Sequence, residues 1–166
     1  MLKRHVVLSG VLVAVCVALS GLYIPVGPTK VYPFQHMVNA IAGVLLGPAW
    51  AAIIATIAAI IRNLLGVGTL FAFPGGIPGG IIVGLLYRYI RRDWVALFEP
   101  LGTGPIGATI SAWIIVPYIQ SNIGWLALQT AFLASSIPGS ILGFIVLKII
   151  RKGGVLRDGG NKAGSG

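Results

Sequence analysis

Six long apolar runs organise this chain, and most of its charges stand at their ends. The runs lie near residues 5 to 24, 33 to 47, 49 to 65, 74 to 90, 95 to 117 and 126 to 149, each bounded by Pro, Gly or charge. Such runs read as helices meeting hydrocarbon, where no water is available to satisfy a free backbone. A composition of 57% hydrophobic and 9% charged residues, with a mean hydropathy of +0.96, excludes the soluble class. The expected fold is all-α, an integral membrane bundle of six transmembrane helices. It forms one domain over 1–152, followed by a flexible polar, glycine-rich tail over 153–166. At 1.5 Å rise per residue the second and third runs are short for a bilayer that needs about 20 residues, so these helices lie obliquely or stop inside the bundle. Their boundary falls at Gly47-Pro48.

A formal net charge of +9 raises the question of nucleic acid. The basic residues do not interleave with aromatics, however; they cluster at the ends of the apolar runs and therefore report topology. With the first helix starting in the cytoplasm, Lys3, Arg4, Arg88, Arg91, Arg92, Lys148, Arg151, Lys152, Arg157 and Lys162 all fall on the cytoplasmic side. Only Lys30 and Arg62 then lie towards the outside, and both termini are cytoplasmic. Lys3, Arg4 and Ala18-Leu19-Ser20 also fit a signal peptide, but the run is long for one, and cleavage would leave the two basic ends on opposite sides.

Several chemistries lack their residues. The single cysteine, Cys16, gives neither a disulfide framework nor a metal-ligand set. Asp93, Glu99 and Asp158 are the only acidic residues, too few for paired-carboxylate metal chemistry within a bilayer. Neither His5 nor His36 comes with a nucleophile motif, and no G-x-x-x-x-G-K-[ST] occurs despite 24 glycines. No catalytic residue, metal or cofactor is expected. A membrane-embedded enzyme and a stand-alone solute facilitator stand as the competing classes.

Candidate binding residues are polar groups set within the apolar runs. Arg62 and Asn63 lie between two runs and precede glycine-rich backbone at Gly66, Gly68, Gly75 and Gly76. An arginine near hydrocarbon costs about 2.5 to 3.5 kcal/mol on insertion scales unless it meets a partner or water. Arg62 therefore either faces a cavity or ends a helix and snorkels to the interface. Gln35, His36, Asn39 and Gly43 fall at helical spacing, so His36, Asn39 and Gly43 share one inward stripe; an interfacial histidine and an interhelical hydrogen bond are the alternatives. Trp113, Tyr118, Gln120, Asn122 and Gln129 gather around the outer loop between the fifth and sixth helices, with belt positions as the competing role for Tyr118 and Trp125. Glu99 sits among Pro100, Gly102, Gly104 and Pro105, which weaken regular helix. It serves function, a structural ion pair or an interfacial carboxylate, and it lies nearer the cytoplasmic face than Arg62, so pairing the two requires a shortened or re-entrant fifth helix.

Small residues recur every fourth position: Gly10, Ala14 and Ala18; Gly76, Gly80 and Gly84; Gly104, Ala108 and Ala112; Ser135, Gly139 and Gly143. Such stripes let backbones approach closely. The last three suit packing within the bundle, whereas the first, on a terminal helix, suits either internal packing or a second membrane protein.

Tyr23-Ile24-Pro25-Val26-Gly27, Phe34-Gln35-His36 with Asn39, the segment from Arg62 to Gly75, and Gly102-Thr103-Gly104 with Gly107 resemble the ThiW family. These are S components, the substrate-binding membrane subunits of energy-coupling factor (ECF) transporters, associated with the thiazole precursor of thiamin. Beyond about residue 115 the resemblance rests on hydropathy. It implies a six-helix subunit whose site opens outward beneath the loops after the first, third and fifth helices. It further implies a transmembrane coupling subunit, met by Gly10, Ala14 and Ala18, and two ATPase subunits that supply the energy. The implied ligand is hydroxyethylthiazole, with Gln35, His36, Asn39, Arg62, Asn63, Glu99, Trp113, Asn122 and Gln129 as candidate contacts. With about nine heavy atoms and a ceiling near 1.5 kcal/mol per atom, such a ligand binds tightly only in a small pocket that touches nearly every atom. Thiamin, larger and cationic, calls for more carboxylates or aromatic faces than the sequence offers.

Overall fold

A computed structural model describes residues 2–26 and 29–153, with only the backbone given for 25, 26, 29 and 30. Six helical segments follow one another: α1 (Leu2–Ala18, extended by a 3-10 turn Leu19–Gly21), α2 (Pro33–Leu46), α3 (Pro48–Leu64), α4 (Ala72–Ile90), α5 (93–118) and α6 (Trp125–Lys152). The tail expected over 153–166 lies outside the described residues, except for Gly153.

Local chemistry explains the boundaries. Gly47 takes φ +86°, a conformation costly for any residue with a Cβ, and Pro48 follows at the first position of α3, where its missing N–H is harmless. The second helix thus stops at the expected dipeptide. The first ends earlier than its apolar run: Ile24–Val26 and Thr29–Val31 pair as a short antiparallel hairpin, β1 and β2, with Ile24 opposite Val31. Pro25 removes a backbone donor, so the chain leaves the helix while hydropathy stays high. Segment α5 is helical throughout but irregular, with a 3-10 stretch Asp93–Phe98 and wide π turns at Gly102–Gly107 and Ser111–Ile115. Pro100, Pro105 and the glycines around them produce this widening rather than a break.

Helix α2 lies at the centre, packed against α6, α4, α3 and α1, while α4 fills the space between α3 and α5. The stripes on α4 and α6 face inward. A Cβ at Gly80 would stand 3.0 Å from Ala51, and one at Gly143 would stand 2.9 Å from the Ala40 side chain. On α5, Gly104 and Ala108 are likewise buried. Gly10, Ala14 and Ala18 instead lie exposed on the outer face of α1, and nothing lies within 4 Å of a Cβ placed at Gly10.

The molecule inverts the usual distribution of polarity. Ile53, Ile57, Ile60 and Leu64 run down the exposed face of α3, and Ile137, Ile141, Ile145 and Ile149 down that of α6. His36, Asn39, Arg62, Glu99 and Thr103 are buried inside. Apolar faces this extensive suit a lipid environment and not water. By length and hydropathy, two helical stretches qualify to cross a bilayer: Leu2–Gly21 and Trp125–Lys152.

Contacts gather the basic ends. Arg151 pairs with Asp93 at 2.6 Å and donates to the Tyr87 hydroxyl at 2.7 Å, joining the end of α6 to α4 and to the start of α5. His5 meets Trp50 edge-on with ring centroids 5.9 Å apart, which brings the start of α1 to the first turn of α3. The hairpin, the loop after α3 and the loop after α5 lie at the opposite end.

Candidate functional site

A cavity of about 960 Å³ occupies that opposite end. Its wall combines the loop after α1 (Ser20, Gly21, Tyr23), the loop after α3 (Gly66 to Thr69, Phe71), Ile123, and one face of α6 carrying Ala127, Leu128, Ala131, Phe132 and Ser135. Tyr32, Gln35 and His36 of α2, Arg62 of α3, and Ala72 and Gly75 of α4 complete it. Three loops after odd-numbered helices therefore surround one cavity. The cavity is larger than the small pocket expected for nine heavy atoms and approaches the upper end of the range for drug-sized ligands, about 300–1,000 Å³.

Arg62 ends α3, yet its side chain turns inward and is 2% exposed. The guanidinium lies 4.8 Å from the centroid of the Tyr32 ring and donates to Gln35 Oε1, while its Nε finds no partner. Gln35 passes the connection on, donating from Nε2 to the Ala72 carbonyl at 3.2 Å. A cation stacked on an aromatic face and bonded to one amide retains unused donors beside the cavity. Tyr32 in turn is held by its backbone N–H, which donates to Ser135 Oγ at 3.2 Å.

Beneath this layer a second polar cluster is sealed from the cavity. Glu99 is fully buried, and its Oε1 lies 2.7 Å from Thr103 Oγ1, whose single hydrogen it shares with the Gly75 carbonyl at 2.8 Å; it also faces His36 Nδ1 at 2.9 Å and meets Asn39 Nδ2 at 3.4 Å. Asn39 Nδ2 also donates to the Gly76 carbonyl at 3.1 Å. The partner of Glu99 is therefore His36 and not Arg62, and the fifth helix reaches it without being shortened. His36 belongs to both layers, since it lines the cavity and contacts Glu99, and so does Gly75, which lines the cavity and whose carbonyl lies 2.8 Å from Thr103 Oγ1.

Of the nine candidate contacts, Gln35, His36 and Arg62 line the cavity; the other six do not. Asn39 and Glu99 lie in the cluster below. Asn63 donates to the Ala59 carbonyl at 2.8 Å and to that of Thr69 at 3.1 Å, fastening the loop after α3 to its own helix. Trp113 is 79% exposed on the outer face of α5, and Asn122 is exposed in the following loop. Gln129 is half-buried against Gly104, with its Oε1 unpartnered. Hydropathy placed these last three near the right end of the molecule but could not give the rotation of α5 and α6.

Sequence reasoning missed Tyr32, Phe71, Phe132 and Ser135. Tyr32 carried a signal: 32, 35, 36 and 39 share one helical face, so the polar stripe extends one turn further back. On α6, Ser135 carried one in the stripe it shares with Gly139 and Gly143, which marks the inward face, whereas Phe132 carried none.

The model of a family described as thiamine-precursor transporter protein (ThiW) matches residues 6–153. No curated protein and no solved structure matches. With that match spanning nearly all of the described helices, the chain belongs to the ThiW family of thiamine-precursor transporters.

Proposed function

We propose that this chain is the substrate-binding subunit of an ECF-type importer, taking hydroxyethylthiazole from outside the cell for uptake driven by partner ATPases. The observation that carries the reading is the position of the cavity. It opens at the end remote from Lys3, Arg4, Arg88, Arg91, Lys148 and Arg151, which the positive-inside rule assigns to the cytoplasm. On this reading six helices cross or enter the membrane, and both ends of the domain face inward.

The lining fits a neutral heteroaromatic ring. Tyr23, Tyr32, Phe71 and Phe132 offer aromatic surface, and Arg62, Gln35 and His36 offer a few convergent polar atoms. Among the described lining residues Arg62 is the only fixed charge, and no carboxylate joins it there, which disfavours a cation such as thiamin. The volume favours the opposite, since nine heavy atoms leave much of 960 Å³ unfilled. A thiazole therefore makes most of its contacts where Gln35, His36, Arg62 and Gly75 converge.

No phosphate-binding loop occurs in these 166 residues, so energy has to come from partner subunits. The exposed stripe Gly10, Ala14 and Ala18 is the surface assigned to the coupling subunit. Calorimetry on the detergent-purified, ligand-stripped chain tests the substrate. Saturable one-to-one binding of hydroxyethylthiazole, with neither thiamin nor hydroxymethylpyrimidine binding comparably, is expected. Preference for thiamin would keep the transporter and change its cargo. Uptake that proceeds without co-expressed coupling subunits would replace the importer by a facilitator.

A further inference from the structure

We propose that Glu99 acts through His36: it holds the imidazole with Nδ1–H turned into the bundle, so that Nε2 meets the cavity as the acceptor for a ligand hydroxyl. The identity of that hydroxyl rests on the thiazole reading above; the orientation of His36 does not.

The surroundings of one oxygen assign the hydrogen. Glu99 Oε1 has the Asn39 amide nitrogen at 3.4 Å and the Thr103 hydroxyl at 2.7 Å. An amide nitrogen only donates, so this oxygen is an acceptor. His36 Nδ1, facing it at 2.9 Å, makes an attractive contact only by carrying the hydrogen. The other tautomer would set two lone pairs against each other in a fully buried site.

Nε2 is then the free end of the ring. It makes no hydrogen bond within the described residues and is not among the fully enclosed polar atoms, while His36 is part of the cavity wall. A neutral imidazole with hydrogen on Nδ1 offers Nε2 as an acceptor only, and Arg62 offers donors only. The two present opposite halves of a hydrogen-bonding code. A ring nitrogen that accepts from Arg62 and a hydroxyl that donates to His36 satisfy both, and a ligand lacking the hydroxyl leaves Nε2 unpaired. Glu99 touches no ligand on this account and is a positioning residue.

The test uses the full chain in detergent with isotopically labelled histidine, and a His5→Gln variant separates the two imidazole signals. Nitrogen NMR of the ligand-free protein is expected to show His36 with hydrogen on Nδ1, and hydroxyethylthiazole is expected to shift the Nε2 resonance. By calorimetry the alcohol should bind roughly tenfold more tightly than 5-ethyl-4-methylthiazole, which keeps the ring and lacks the hydroxyl. In Glu99→Met, which keeps the length of the side chain and removes the acceptor, that preference should fall to within about threefold, with the ethyl compound still bound about as well as before. Hydrogen found on Nε2 in the wild-type protein overturns the proposal whether or not the variant folds. So does an unchanged preference for the alcohol in a folded Glu99→Met protein. If neither thiazole binds folded wild-type protein, the cargo assignment falls, and the tautomer alone then decides the role of Glu99.

Discussion

A guanidinium inside an apolar bundle is stable where something takes its hydrogens, and among the described residues Arg62 meets only a ring face and one amide oxygen. Its remaining donors lie beside the cavity, so a ligand that accepts from them gains a charge-assisted hydrogen bond. Arg62→Gln should weaken thiazole binding by at least about tenfold in calorimetry, in line with the usual worth of a hydrogen bond to a charged group. Unchanged affinity would move the ligand elsewhere. Asn39 answers a different need, supplying hydrogens to Glu99 and to the Gly76 carbonyl in a sealed layer. Asn39→Ala leaves both acceptors short and should cost about 1–3 kcal/mol, read as a lower Tm in detergent; an unchanged Tm would mean that this layer is not structural. At this scale the sequence disclosed that Arg62 and His36 need company, because both stand in apolar runs. It could not disclose which partner each has. Glu99 reaches His36, 63 positions away, through the packing of α5 on α2.

Stripes of small residues look alike along the chain and act differently once the helices are packed. Gly139 lies where a Cβ would come 2.6 Å from His36 Cβ and collide with the Pro33 carbonyl, so Gly139→Ala forces α6 away from α2. The expected cost is about 1–3 kcal/mol, with a lower Tm and weaker binding, since α6 forms one wall of the cavity. Gly10→Ala, with open space around the new methyl, should leave the Tm unchanged or raise it slightly. Equal effects of the two changes would mean that the α1 stripe is buried as well. On the proposed importer reading, a bulkier change on that exposed face, Ala14→Leu, should impair assembly with a coupling subunit and uptake, while calorimetry finds thiazole binding intact. Normal uptake would remove the α1 face as the contact. Helix existence was legible from apolar runs, and the α2–α3 junction from Gly47-Pro48. The hairpin after α1 was not, because hydropathy stays high through Ile24 while the backbone has already left the helix. Proline and glycine announced an irregular α5, but the π turns depend on how that segment fits against α4 and α6.

For the molecule as a whole, one arrangement places the basic ends of α1, α4 and α6 together and the cavity at the other end, so topology can be measured directly. In a Cys16→Ala background, Ser121→Cys should react with a membrane-impermeant maleimide in intact cells, whereas Arg91→Cys should react only after permeabilisation. The reverse pattern would invert the molecule and point the cavity inward. The sequence by itself determined the environment, the number of helical segments and the grouping of charge, since these follow from composition along the chain and from the cost of exposing backbone or charge to hydrocarbon. It also carried the family through its Arg62 to Gly75 segment. Only the tertiary structure decided that α1 turns its small residues outward, that Tyr32 and Phe132 wall the cavity, and that Glu99 stands behind His36. Those facts depend on the rotation of each helix about its axis, which packing fixes against neighbours and which an apolar run, similar on every side, leaves undetermined.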